Sequence, residues 1–196
     1  MAKVWRCTVC GHLHQGETPP EQCPVCGMGS DSFAAVAAEP VAMTATAADA
    51  GLFKELFAVF MPHAVAAHFP NALIPTIWLF LLLFATTALP SFESTAFYLL
   101  VMSLLAVPVT MATGLYDWKS RFDGVMTPLF RKKIFLSCQL LISLGLAVGL
   151  YWSNSGILQQ HGGLFWLFLL LLVIALASVV LLGHYGAVLV FGAKRD

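Results

Sequence analysis

The chain has 196 residues, 59% of them hydrophobic and only 10% charged, with a formal net charge of zero and a mean hydropathy of +0.84. Soluble domains carry about 25% charged and roughly 45–50% apolar residues, so a chain this apolar is expected to lie mostly in lipid. The neutral balance excludes a global basic field of the kind that draws nucleic acid, and it leaves no acidic tail.

Residues 1–36 are turn-rich and polar, and they hold four of the five cysteines as Cys7-x-x-Cys10-Gly11 and Cys23-Pro24-x-Cys26-Gly27, with twelve residues between Cys10 and Cys23. In a Cys-x-x-Cys-Gly turn two thiolates of one loop can grip a single ion while backbone amides point at the sulfurs. Two such loops facing each other give a tetrahedral all-sulfur site, which suits iron or zinc. No apolar run precedes Cys7, so no signal peptide is read. The cysteines are therefore expected in the reducing cytoplasm, where such pairs bind metal rather than form disulfides.

The residues around these four ligands resemble the rubredoxin-like domain of rubrerythrins over roughly residues 3–36. Trp5 stands two before the first ligand, Gly11 follows the second, and His14, Gly16 and Pro20 fill the intervening turn. Pro24 and Gly27 bracket the last ligand, and Phe33 is expected to close a small aromatic core with Trp5. The resemblance implies one iron held by Cys7, Cys10, Cys23 and Cys26, cycling between ferric and ferrous states. A zinc ribbon whose metal is structural uses the same spacing and is the alternative.

Residues 37–50 are almost all Ala, Thr, Val, Met and Pro and read as a linker; residues 51–61 begin GLFKELFAVF, with Leu52, Phe53, Leu56, Phe57 and Phe60 at helical spacing. That stretch reads either as an interfacial helix or as an extension of the span that follows. From residue 62 to 196 the chain reads as an all-α transmembrane four-helix bundle. Its uncharged stretches are Ala64–Leu89, Ser94–Tyr116, Ile134–Trp152 and Leu164–Phe191, each near the roughly 20 residues that a span requires. All ten basic residues fall before the first span, in the second loop or at the C-terminus. The positive-inside rule then puts both termini and the cysteine domain in the cytoplasm, which in a bacterium makes this an inner-membrane protein.

Ionisable groups in a span are functional hypotheses by default. His68 and His184 are expected at similar depth in the cytoplasmic half, on helices one and four, and make a candidate axial pair for a b-type haem, with Gly183 and Gly186 leaving room for a porphyrin. His63 lies roughly 140° round the helix from His68 and is the replacement ligand if the span starts later. The bland alternative for these histidines is hydrogen bonding within the bundle. Tyr116, Asp117 and Trp118 close the second span, either as a quinone or proton site or as an interfacial anchor. Gly145 and Gly149 are expected to permit close helix contact.

The segments His68-Phe69-Pro70-Asn71-Ala72-Leu73 and Thr113-Gly114-Leu115-Tyr116-Asp117-Trp118 resemble a bacterial four-helix membrane family catalogued as the domain of unknown function, family 2231. That resemblance covers about residues 60–192. The chain shows no nucleophile with a base, no phosphate loop and no paired catalytic carboxylates, so an electron carrier is expected rather than a catalyst. Single electrons would pass between a soluble cytoplasmic donor and a membrane acceptor, a b-type haem held by His68 and His184 and then quinone. The competing classes are a membrane-tethered zinc-ribbon binding module and a small oxidoreductase acting on oxygen, superoxide or peroxide.

Overall fold

A computed structural model describes residues 3–36, 62–121, 124–154 and 156–191. The expected linker at 37–50 and interfacial helix at 51–61 lie outside the described residues.

The N-terminal domain is a three-stranded antiparallel sheet of β1 (Lys3–Cys7), β2 (Leu13–Gly16) and β3 (Phe33–Val36), in the order β2-β1-β3. Its side chains are too few to bury a conventional core, and the cysteines fill that place. Cys7, Cys23, Val25, Cys26 and Phe33 form the buried cluster, with Trp5, Val9, Cys10 and Met28 packed against it. Trp5 pairs with His14 on one side and Ala35 on the other, and its indole N–H donates to the Gly16 carbonyl at 3.2 Å. Trp5 and Phe33 thus close one core, as the sequence suggests.

Four long helices follow: α1 (Pro62–Thr87), α2 (Pro90–Arg121), α3 (Pro128–Ser153) and, after the short α4 (Ile157–Gln160), α5 (Gly163–Phe191). Three begin on proline, whose missing N–H costs nothing in a first turn. Thr127 caps α3 by accepting from the Phe130 N–H at 3.3 Å. All four are long and apolar enough to cross a membrane. At about 1.5 Å per residue, α2 is roughly 48 Å long, more than a hydrocarbon core of about 30 Å, so one end projects beyond it.

Neighbours in the bundle are α1 with α2, α2 with α3, α3 with α5 and α5 with α1, a closed ring. Ile74, Ile77, Leu100, Leu144 and Leu172 form its interior with Ala96, Ala147 and Ala175. The buried hydroxyls of Ser103, Ser143 and Ser178 donate to carbonyls of their own helices at 2.8–3.0 Å, so small polar residues enter the core already satisfied. Leu79, Leu82, Leu105, Ile142, Leu146 and Leu170 are exposed, a surface suited to lipid rather than water. Tyr98, Trp152 and Trp166 are exposed toward the α4 end, where aromatic side chains suit the membrane interface.

Gly145 and Gly149 depart from expectation. A Cβ built on either meets nothing within 4 Å, so they line no helix contact here. The tight approach is at Gly114 instead, where a Cβ would stand 2.8 Å from His63 Cε1.

Candidate metal centre

The two cysteine loops are built alike. Cys7 N–H donates to His12 O and Gly11 N–H to Cys7 O, both at 2.8 Å; Cys23 N–H donates to Met28 O at 2.7 Å and Gly27 N–H to Cys23 O at 2.9 Å. Each loop turns on a glycine at φ +76°, a left-handed conformation that is cheap only without a Cβ. Sequence spacing therefore acts through these turns, which fold each Cys-x-x-Cys into a knuckle with both sulfurs on one side.

The four Sγ atoms lie within 4.8 Å of one another. Across the pair of knuckles, Cys7 and Cys26 are 3.7 Å apart and Cys10 and Cys23 are 3.5 Å apart. Metal–sulfur bonds near 2.3 Å in a tetrahedron put sulfurs about 3.8 Å apart, so the arrangement fits one ion. Sharing of protons marks the same crowding. Hydrogen bonding from Cys10, aided by the Met28 N–H, pushes the Cys26 thiol down to about 5. Cys10, which keeps that proton, is pushed up by its hydrogen bond to Cys26 and by burial. Burial pushes Cys23 up as well. A cation replaces these shared protons and neutralises the thiolate charge.

A family model described as the rubredoxin-like domain of rubrerythrin matches residues 5–34. The N-terminal segment is a rubredoxin-like domain of the rubrerythrin type. Among curated proteins, the rubredoxin-like domain is similar to reverse rubrerythrin-1 of Clostridium acetobutylicum, 53% identical over 34 residues, which is 17% of this chain and 19% of the relative. The chain thus matches about a fifth of that relative's length. No solved structure matches.

The other expected site residues lie in the helical bundle. His63 is half-buried between α1 and α2, with Nδ1 3.1 Å from Thr110 O and 3.3 Å from Thr113 Oγ1. A carbonyl only accepts, so neutral His63 carries its proton on Nδ1 and its lone pair on Nε2. Asp117 and Lys133 act on it electrostatically. His68 is exposed and its Nδ1–H donates to Ala64 O at 2.6 Å, which likewise leaves Nε2 with the lone pair. His184 is exposed, its ring 5.7 Å from that of Tyr185.

Asn71, one turn beyond His68, lies 3.5 Å from a Cβ built on Gly183, the residue before His184. That contact registers α1 against α5. Trp118 donates to Val125 O at 2.9 Å and its ring is 6.4 Å from Phe130, whereas Tyr116 points outward. The second span's aromatic end therefore divides between a loop anchor and an exposed phenol.

Glu93 escaped the sequence reading. It is 8% exposed, and its carboxylate accepts from Tyr151 OH at 3.0 Å and Gln159 Nε2 at 2.8 Å. This ties α2 to α3 and α4 at the end away from the cysteines. The signal was available: Glu93 is the one acidic residue between Pro62 and Leu115.

Proposed function

We propose that this chain is a membrane electron-transfer protein, passing single electrons between a soluble cytoplasmic donor and an acceptor in its own bundle. Iron bound by Cys7, Cys10, Cys23 and Cys26 supplies a one-electron ferric/ferrous couple. The observation that carries this reading is the set of sulfur separations, 3.5 and 3.7 Å, in a rubredoxin-like domain joined to four membrane-length helices. The placement of every Lys and Arg supports a bacterial inner-membrane site with both termini cytoplasmic.

For the acceptor we propose a b-type haem held by His68 and His184, with quinone as the onward partner and Tyr116, Asp117 and Trp118 as its proton or quinone site. Support comes from the Nε2 lone pair of His68, from the Asn71–Gly183 register, and from the absence of a Cβ at Gly183 and Gly186. His63 has the same tautomer but is held among Thr110, Thr113 and Gly114, so it ranks behind His68 as a ligand. These contacts also give physical roles to the two motifs that resemble the domain of unknown function, family 2231.

A zinc-ribbon module is the second reading, because zinc takes the same four-sulfur geometry. Detergent-purified protein should show the visible charge-transfer bands of ferric iron in four thiolates, and a pyridine haemochrome of the b type. His68→Ala and His184→Ala should each abolish the low-spin haem spectrum. Stoichiometric zinc with no iron would overturn the carrier reading, and haem retained in both variants would overturn the ligand assignment.

A further inference from the structure

The two knuckles share a hydrogen-bond plan and a glycine conformation but not the burial of their tips. Val25 and Cys26, at the tip of the second knuckle, are 5% and 1% exposed, whereas their counterparts Val9 and Cys10 are only half-buried. The bundle comes close to this cluster: Leu189, near the end of α5, packs against Cys7, Cys23, Val25, Cys26 and Phe33 as a group. A Cβ on Gly27 would stand 3.9 Å from the ring of Pro128, the first residue of α3.

The first knuckle carries a charge instead. The Arg6 guanidinium reaches within 4.0 Å of a Cβ built on Gly11, and Arg6 is exposed. We propose that the knuckles are two separate electron ports. The second (Cys23–Met28) exchanges electrons with the bundle through Pro128 and Leu189. The first (Cys7–His12) receives an acidic soluble one-electron carrier guided by Arg6.

This rests on the electron-transfer reading above. One electron leaves the reduced carrier, which is oxidised by one unit, and the thiolate-bound ion goes from ferric to ferrous. The same electron then leaves past Cys26 to the haem proposed for the bundle, reducing it by one unit. No bond forms or breaks and no proton moves. Beyond Pro128 the contacts continue inward, because buried Phe130 lies 6.4 Å from Trp118, one turn past the Gly114 that backs His63. Physical separation of the ports lets a carrier bind while the domain stays seated.

The test uses the full-length protein in detergent with benzoylphenylalanine at position 128. Irradiation followed by digestion and mass spectrometry should give an intramolecular cross-link to residues 23–29, lost in Val25→Glu and kept in Arg6→Glu. In parallel, the absorbance of the ferric centre is followed as photoreduced flavin mononucleotide, an anionic hydroquinone, reduces it. Arg6→Glu should slow this about threefold or more at low salt and little at high salt, while Val25→Glu stays within about twofold of the parent.

A parent protein without the 128-to-knuckle cross-link overturns the membrane-side port, whatever Val25→Glu does. An Arg6→Glu rate equal to the parent's at low salt overturns the carrier port. Zinc in place of iron would instead overturn the electron-transfer reading, and the cross-link would still report the seating.

Discussion

At Gly114 the second helix gives up a side chain so that an imidazole can lie against its backbone. The companion carbonyls explain why the polar residues here are threonines. Pro70 cannot donate to Ala66 O, and Thr110 Oγ1 from the neighbouring helix lies 3.1 Å from that oxygen, so a carbonyl orphaned by proline finds a hydroxyl. Gly114→Ala should lower the unfolding free energy in detergent by about 1–3 kcal/mol, the usual cost of overpacking. Gly149→Ala, where a Cβ meets nothing, should leave it unchanged or raise it by up to about 1 kcal/mol through helix propensity. Equal losses at both positions would contradict the packing described. The thiols give a second prediction. The hydrogen bond between Cys10 and Cys26 pushes Cys26 down and Cys10 up, so the two share a proton that a bound metal ion would replace. Protons compete with the metal for these thiolates, so metal release should rise as pH falls. Elemental analysis after acid dialysis measures it.

Among the elements, the far end of the bundle depends on a buried carboxylate. Glu93 sits in the first turn of α2, where the helix dipole favours negative charge, and accepts two hydrogen bonds from other elements. A hydrogen bond to a charged group contributes about 1.5–3 kcal/mol. Glu93→Ala should therefore destabilise the bundle by about 3 kcal/mol or more, as seen by thermal unfolding in detergent. Tyr151→Phe removes one donor and should cost less. In a double-mutant cycle the two should couple by about 1 kcal/mol or more; strict additivity would show that the contact carries no energy. Coupling is expected because Phe97 stacks on Tyr151 at 4.5 Å and Phe168 lies at 6.2 Å, fixing the phenol in place.

For the whole molecule the prediction concerns sidedness. A cysteine at position 160, in the α4 region, should be labelled in intact cells by a membrane-impermeant maleimide. One introduced at Ser120, at the far end of α2, should react only after permeabilisation. Reversed labelling would overturn the cytoplasmic assignment of the rubredoxin-like domain, and with it any access by a cytoplasmic carrier. Metal removal should also be felt beyond the sheet. The sulfur cluster is the domain's core, so an apo protein should lose the cross-link between position 128 and the second knuckle along with its visible absorption.

Cysteine spacing alone pointed to the metal centre, because two Cys-x-x-Cys-Gly turns can close on one another in few ways. Apolar length alone determined four helices, since backbone in lipid must bond within its own segment. Contacts between segments were out of reach. The glycine pair on α3 looked like a packing motif yet faces open space, while Gly114 and His63, 51 positions apart, were joined only by the α1–α2 register. Glu93 lies between two uncharged stretches, and only the fold brings Tyr151 and Gln159 to its carboxylate. The unequal burial of two equivalent knuckles was beyond any reading of the chain, since the motif is the same in both. In the folded molecule Pro128 lies beside the second knuckle's glycine, and Leu189 packs against the cluster that its tip joins.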